Sequence, residues 1–488
     1  MRGLDAIADD HPFGRRLSLV VAVLLLGAAN PDYVYGFTWS QPRDLTAPVG
    51  ELSEPRIHFW GDGSALLTWR SLPARARSAD ALSRRNHIAV QGRDGDVQQR
   101  ALLRGEIVRP VAVETRRLAL LRERQLSRRG DEGPLRRLSV SFGTSRRPPR
   151  RTRRVTTYQP IMLEVAGPSD VAVSPRGEVA VAWADHPPHA GRARGVYRAR
   201  VVTGTASRGF GRASTIAADR RGRADVYTPN VAYSAAGDLF VTYASPRGLE
   251  VRVRDHRNRT FSRPHLLGPR RAYVDVAIGT APDGHVVVLW GTRNVGEGVE
   301  DRLTVRASVR RPGAHRFDPP QVLHRGAAST GAPAKNVELA VAAGGATTAA
   351  WTAAAPMFST ERSIHSATLE AGDRFGPPHE LARGNVVLGD LAHAPDGGAV
   401  IVWRAFADAA FSIHAATRPA GAAAFGAPVT LAARQGGASP SEKTDPAIAF
   451  NPSTDQPQVI WPAARLTDTG SGVVRDSAVL RSVTGSAR

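Results

Sequence analysis

Seven polar side chains recur at one place in successive copies of a repeated unit: Arg56, Asp170, Asn230, Asp275, Glu338, Asp390 and Asp445. Each comes just before a short apolar segment, and five of the seven are acids. Carboxylates gathered by a repeat can accept backbone N–H bonds, hold a cation such as calcium, or contact a ligand. Arg404, directly after Trp403, adds a guanidinium to the set. His186 and His189, in Asp185-His-Pro-Pro-His189, have metal-ligand chemistry but no third ligand at a diagnostic spacing. His365 and His414 occupy matching Ser-Ile-His segments, and another copy holds Arg306 there, so both histidines read as structural. Calcium is the one cofactor such a ring would take, and nothing in the sequence demands one.

The elements that must position these residues are hairpins. The stretch Asp390-Leu-Ala-His-Ala-Pro-Asp-Gly-Gly-Ala-Val-Ile-Val-Trp403 reads as two strands joined by Pro395-Asp396-Gly397-Gly398. Proline presets φ there, and glycine accepts the positive φ that the turn needs. Closing aromatics mark further copies at Trp69, Trp183, Tyr243, Trp290, Trp351 and Trp461, and Leu121 fills that slot in a degenerate copy starting at Arg109. The recurring tryptophans read as packing between units.

A second pattern, Phe-x-x-Pro-x-x-Leu, follows the hairpins. It occurs at Phe261–Leu267, Phe317–Leu323, Phe375–Leu381 and Phe425–Leu431, and more loosely at Phe210–Ile216. Proline cannot donate to a ladder, so this element is expected to be an outer, edge strand. With a third strand between, each unit holds four strands. Four strands repeated about every 50 to 60 residues are the signature of a β-propeller blade. Eight blades are expected, or seven if the region 109–163 is irregular. The last hairpin lacks an outer strand, and an orphan copy of the pattern, Phe37-Thr-Trp-Ser-Gln-Pro-Arg-Asp-Leu45, stands at the other end. The N-terminal strand is therefore expected to complete the last blade and close the ring.

Residues 1–29 read as a signal peptide: Arg15-Arg16, an apolar run from Leu17 to Leu26, then Gly27-Ala28-Ala29. Residues 30–488 would form one propeller domain, secreted or in the cell envelope, with no membrane span after cleavage. The absence of cysteine excludes disulfides and thiolate chemistry. The net charge of +21 comes almost wholly from arginine, as Lys335 and Lys443 are the only lysines. That bias points to a GC-rich bacterial genome and also favours anionic partners. No recognition motif for specific nucleic-acid binding accompanies it. Residues 128–154 carry the densest arginines and are expected to form a basic loop, a candidate foot for an anionic surface polymer. Thr115 to Arg129 also has helical propensity.

The repeat texture resembles that of secreted bacterial β-propellers related at fold level to sialidases. The resemblance implies cleavage of terminal sialic acids by an arginine triad, a tyrosine–glutamate nucleophile pair and an aspartate acid/base. The Ser-x-Asp-x-Gly-x-x-Trp box and the Arg-Ile-Pro segment of that family are absent, so no catalytic residue is assigned. The leading expectation is an extracellular binding or scaffold module for a glycan, peptide or protein at the channel face, more a binder than an enzyme. The alternatives are a sialidase-like glycoside hydrolase or lyase, and a polyanion-binding surface protein.

Overall fold

The computed structural model describes residues 37–47, 51–72, 85–104, 106–113, 117–128, 134–144, 147–158, 169–185, 197–219, 229–269, 272–296, 299–327, 337–342, 345–354, 361–369, 374–407, 410–436, 445–468 and 473–487. The expected leader at 1–29 and the pair His186 and His189 lie outside them.

The described strands form eight antiparallel sheets, each running from an innermost to an outermost strand. Blade one comprises Glu51–Phe59, Ala65–Leu72, Arg85–Gln91 and Val97–Arg104, and blade two Glu106–Val113, Arg117–Arg128, Pro134–Thr144 and Arg147–Tyr158. Blade three runs from Ser169–Val173 through Val179–Asp185 and Tyr197–Thr205 to Gly209–Phe210 and Ser214–Asp219. Blade four holds Asn230–Tyr233, Leu239–Ser245, Gly248–Arg254 and His265–Pro269. Blade five holds Ala272–Thr280, Val286–Gly296, Val299–Arg310 and Gln321–Ala327. Blade six holds Val337–Val341, Thr347–Ala354, Arg362–Leu369 and His379–Gly384, and blade seven Val386–His393, Ala399–Ala407, Ala410–Arg418 and Val429–Gly436.

Blade eight, with Ala447–Asn451, Gln456–Asp468 and Val473–Ala487, takes its outer edge from the other end of the chain. Phe37 pairs with Ala487 and Trp39 with Gly485; beyond Pro42, Arg43 pairs with Ser482. The ring is closed by strand pairing, which leaves no broken edge at the junction. The expected eight blades and their closure are both present.

The hairpin turn behaves as its residues require. Ala394 N–H donates to Gly398 O at 2.8 Å, Gly397 N–H returns to Ala394 O at 3.0 Å, and Gly397 has φ 96°. Blade eight makes a related turn with Asp455 at φ 55°.

Two expectations are corrected. In the Phe-x-x-Pro-x-x-Leu pattern the proline does not sit inside the edge strand. It immediately precedes it, so no ladder bond is lost. The residue after the phenylalanine instead donates to the third strand, as Gly426 N–H does to Thr417 O at 2.8 Å. The pattern's leucine is a bulge: His365 pairs with Glu380 and Ile364 with Ala382, so Leu381 is skipped, and Leu431 is skipped likewise in blade seven. The extra residue turns inward, and Leu267, Leu323 and Leu431 are buried.

The second correction concerns blade two. Residues 128–154, expected as a basic loop, contribute to the second strand and to the strands Pro134–Thr144 and Arg147–Tyr158, and the helix-prone stretch is the strand Arg117–Arg128. Alternation overrides propensity here. Ala119, Leu121, Leu138 and Val140 are all fully buried, while Arg124 and Arg137 face solvent.

The core lies between blades. Eight apolar clusters occupy the eight junctions, and Trp69, Trp183, Tyr243, Trp290, Trp351, Trp403 and Trp461 each pack into the face of the preceding blade. At blade one to blade two, Trp60 and Leu120 meet instead. Burying each such ring contributes about 2–3 kcal/mol, so the aromatics hold the ring together.

Candidate functional site at the channel face

Strand register locates the ring residues. Arg56, Asp170, Asn230, Glu338 and Asp390 each lie opposite the residue just before the closing aromatic of their own blade. In blades five and eight that place is taken by Ala277 and Ala447, so Asp275 and Asp445 stand two residues earlier. The pleat keeps residues two apart on one face, which preserves the direction of the side chain. Register shifts flank the ring residue in blades one, five and seven and re-aim the strand at the channel mouth.

Three acids bind backbone across a junction. Asp170 accepts the Val231 N–H at 2.9 Å, Asp275 the Val337 N–H at 3.4 Å, and Asp390 the Ile448 N–H at 3.2 Å. Asp275 and Asp390 also accept the N–H of the next residue in their own strand, at 2.9 and 3.0 Å. Blades three, five and seven are thus buttoned to blades four, six and eight. These carboxylates form part of the frame that joins neighbouring blades.

Asp445 has different work. Its Oδ1 accepts from Arg404 Nη2 at 2.6 Å, and the Arg404 side chain is 1% exposed. The Arg404 guanidinium also covers the rings of Phe406, at 4.9 Å, and Phe411, at 6.0 Å. Arg362, at the start of the third strand of blade six, belongs to the same group. Burial draws its pKa below the usual arginine value, the nearby Arg404 adds to that, and Asp445 opposes it. Two guanidinium groups from blades six and seven therefore share the field of one carboxylate from blade eight.

Blade one carries a related arrangement that the sequence reading passed over. Arg70 follows Trp69 as Arg404 follows Trp403, and its Nη1 donates to Glu54 Oε1 at 2.6 Å. Glu54 has φ 52°, a left-handed conformation unusual for glutamate, inside the register shift of its strand. The Trp-Arg dipeptide shared by blades one and seven was the available signal. Arg362 offered none, because its relation to Arg404 and Asp445 crosses three blades.

His365 stacks on Trp351 at 5.8 Å and His414 on Trp403 at 5.8 Å, with Ser363 and Ser412 hydroxyls 2.7 and 2.6 Å from their Nε2 atoms. His87 lies on Trp69 in the same way. Arg306 holds the equivalent register opposite Trp290. Asp185 is buried against Arg198 and Arg200, at 2.9 and 3.4 Å. Among the described residues, one set of three potential metal ligands converges: Asp238, Asp255 and His256. It lies in the turns at the opposite end of blade four and includes no ring residue. Also among the described residues, no helix is long and apolar enough to cross a membrane.

The sheets and their closure define the class of the protein, an eight-bladed β-propeller. No protein-family model matches the chain, and no curated protein matches it. Among solved structures it is similar to the Dos1 propeller, with 9% identity, 92% of this chain and 95% of that chain covered, and a TM-score of 0.48. It is also similar to the polysaccharide lyase Uly1, with 10% identity, 78% and 90% coverage, and a TM-score of 0.41. A third is the intramolecular trans-sialidase from Ruminococcus gnavus in complex with oseltamivir carboxylate, with 9% identity, 72% and 90% coverage, and a TM-score of 0.34. These likenesses concern the arrangement of blades, and no residue role is taken from them.

Proposed function

We propose that the protein is an exported propeller that binds a carboxylate-bearing glycan or peptide at its channel face, as a binding or scaffold module. The observation that carries this reading is the group formed by Arg362, Arg404 and Asp445. Arg404 and Arg362 together bring positive charge into partly desolvated surroundings. A second carboxylate, supplied by a ligand, would balance it with bidentate geometry. Phe406 and Phe411 wall the site and reduce the competition from water. The acids on blades three, five and seven support binding over catalysis, because each already accepts N–H bonds that join blades.

The test is calorimetric titration with sialyllactose and trigalacturonate beside neutral lactose. The acidic sugars should bind, lactose should not, and Arg362→Met should weaken binding by about tenfold or more, the value of one charged hydrogen bond. Arg93→Ser, far from the site, should bind as the parent does. Binding that ignores charge, or is unchanged in Arg362→Met, would refute the reading. Turnover of fluorogenic sialosides that Asp445→Asn abolishes would replace it with the hydrolase alternative.

A further inference from the structure

We propose that the face opposite the channel site carries a second binding surface, an arc of arginines on blades three to five that takes an acidic polysaccharide. The arc is built from the connections between third and fourth strands. Residues 206–213 carry Arg208 and Arg212, residues 255–264 carry Arg257, Arg259 and Arg263, and residues 311–320 carry Arg311 and Arg316. All are exposed. The equivalent connection of blade seven, residues 419–428, has no arginine, and that of blade six has Arg374 alone, next to Asp373.

The turn itself does not need these side chains. Blade five closes it with Ala314 N–H to Arg311 O at 3.1 Å and Asp318 N–H to Val309 O at 2.8 Å. Blade seven closes the same turn with Ala422 N–H to Pro419 O at 3.2 Å and Gly426 N–H to Thr417 O at 2.8 Å, using alanine and glycine. One fold thus has a basic and a neutral version in a single chain. Among the described connections, the basic version is concentrated in blades three to five.

Contacts between blades make the arc continuous. Arg254 of blade four donates to Thr203 Oγ1 of blade three at 3.0 Å, and His265 of blade four stacks on Phe317 of blade five at 6.0 Å. At the other end, Arg153 of blade two donates to the carbonyls of Ala206 and Ser207 at 3.4 and 3.3 Å. Asp255, within the arc, is exposed and lies 3.6 Å from His256, and three other acids on this face have closer partners. Asp318 pairs with Arg311 at 3.1 Å, Asp238 with His256 at 2.9 Å, and Asp283 with His285 at 2.8 Å. Among the described residues, Arg208, Arg212, Arg257, Arg259, Arg263 and Arg316 are paired with no carboxylate.

Such a row suits a linear polymer with repeated carboxylates or sulfates, each met by a guanidinium fork. Single-stranded nucleic acid would also need aromatic platforms for its bases. The exposed large apolar side chains among the described residues are Leu266 and Val322, neither of them aromatic.

The experiment measures binding of the full chain to immobilised polygalacturonate and heparin at about 50 mM and about 500 mM NaCl. The parent should bind at least one polymer at low salt and lose about tenfold or more in affinity at high salt. The variant Arg257→Ser/Arg259→Ser/Arg316→Ser should lose as much at low salt, with the parent's thermal transition. Arg93→Ser/Arg374→Ser, outside the arc, should bind as the parent does. Which polymer binds separates carboxylate from sulfate recognition. Unchanged binding by the triple variant would overturn the proposal, as would failure of both polymers to bind. Tighter binding of duplex DNA with the same arginine dependence would overturn the choice of polysaccharide.

Discussion

His365 shows how a polar residue becomes part of a core. It lies flat on Trp351 with Ser363 at one ring nitrogen, and burial, with His324 beside it, lowers its pKa to about 4. His393 is likewise lowered to about 4, by burial first and then by Arg418. Both are neutral in the folded protein at pH 6, whereas in the unfolded chain they titrate near about 6.5. Acid therefore protonates the unfolded state first. The stability they confer is complete above about pH 6.5 and is lost as the pH falls towards 4. We expect the melting temperature to drop across that window. Replacing His365 and His393 by glutamine should flatten the drop by roughly 1 kcal/mol each, after allowance for solvent screening. A pH-independent difference between parent and variant would contradict this.

The blade junction is the scale at which neighbouring elements constrain each other. Gly389 sits in the register shift just before Asp390, and a Cβ there would lie 2.6 Å from Pro446 Cγ and 2.8 Å from Pro446 O in blade eight. Asp390 ties the same two blades together through Ile448. Gly389→Ala should thus force the blades apart and cost about 2 kcal/mol in urea unfolding. Gly211→Ala meets only Thr203 O, at 3.9 Å, and should cost under about 0.5 kcal/mol. Equal costs would mean that the close approach of blades seven and eight is not a constraint on stability.

For the whole molecule, the decisive contact joins its two ends. Phe37–Trp39 and Arg43–Asp44 cover the edge of Val473–Ala487, and Phe37 also packs against Phe450, ring centres 6.1 Å apart. A chain that begins after Thr46 would expose that edge to other copies. It should melt earlier and self-associate in gel filtration, and a synthetic peptide of residues 36–47 should reverse both effects. A shortened chain as stable and monodisperse as the parent would show that closure does not depend on this strand.

The sequence alone determined what is local and repeated. Gly397 at the fourth turn position, the closing tryptophans and the Phe-x-x-Pro-x-x-Leu pattern each act within a few residues, and their recurrence revealed blades, count and closure. The same logic fails where an element departs from its copies. Blade two has Leu121 in place of an aromatic and carries arginines on its solvent side. Its first hairpin is legible from Arg109 to Leu121, but the strands Pro134–Thr144 and Arg147–Tyr158 are hidden by arginine-rich composition and defined only by their pairing. Asp275 and Asp445 look equivalent to Asp170 along the chain, but only strand register places them two residues earlier. The tertiary structure alone decided that Asp390 binds a backbone N–H of the next blade while Asp445 neutralises Arg404, with Arg362 drawn into the same field. Those relations act through space between segments more than forty residues apart, as the Arg404–Asp445 separation of 41 shows, and no local pattern records them.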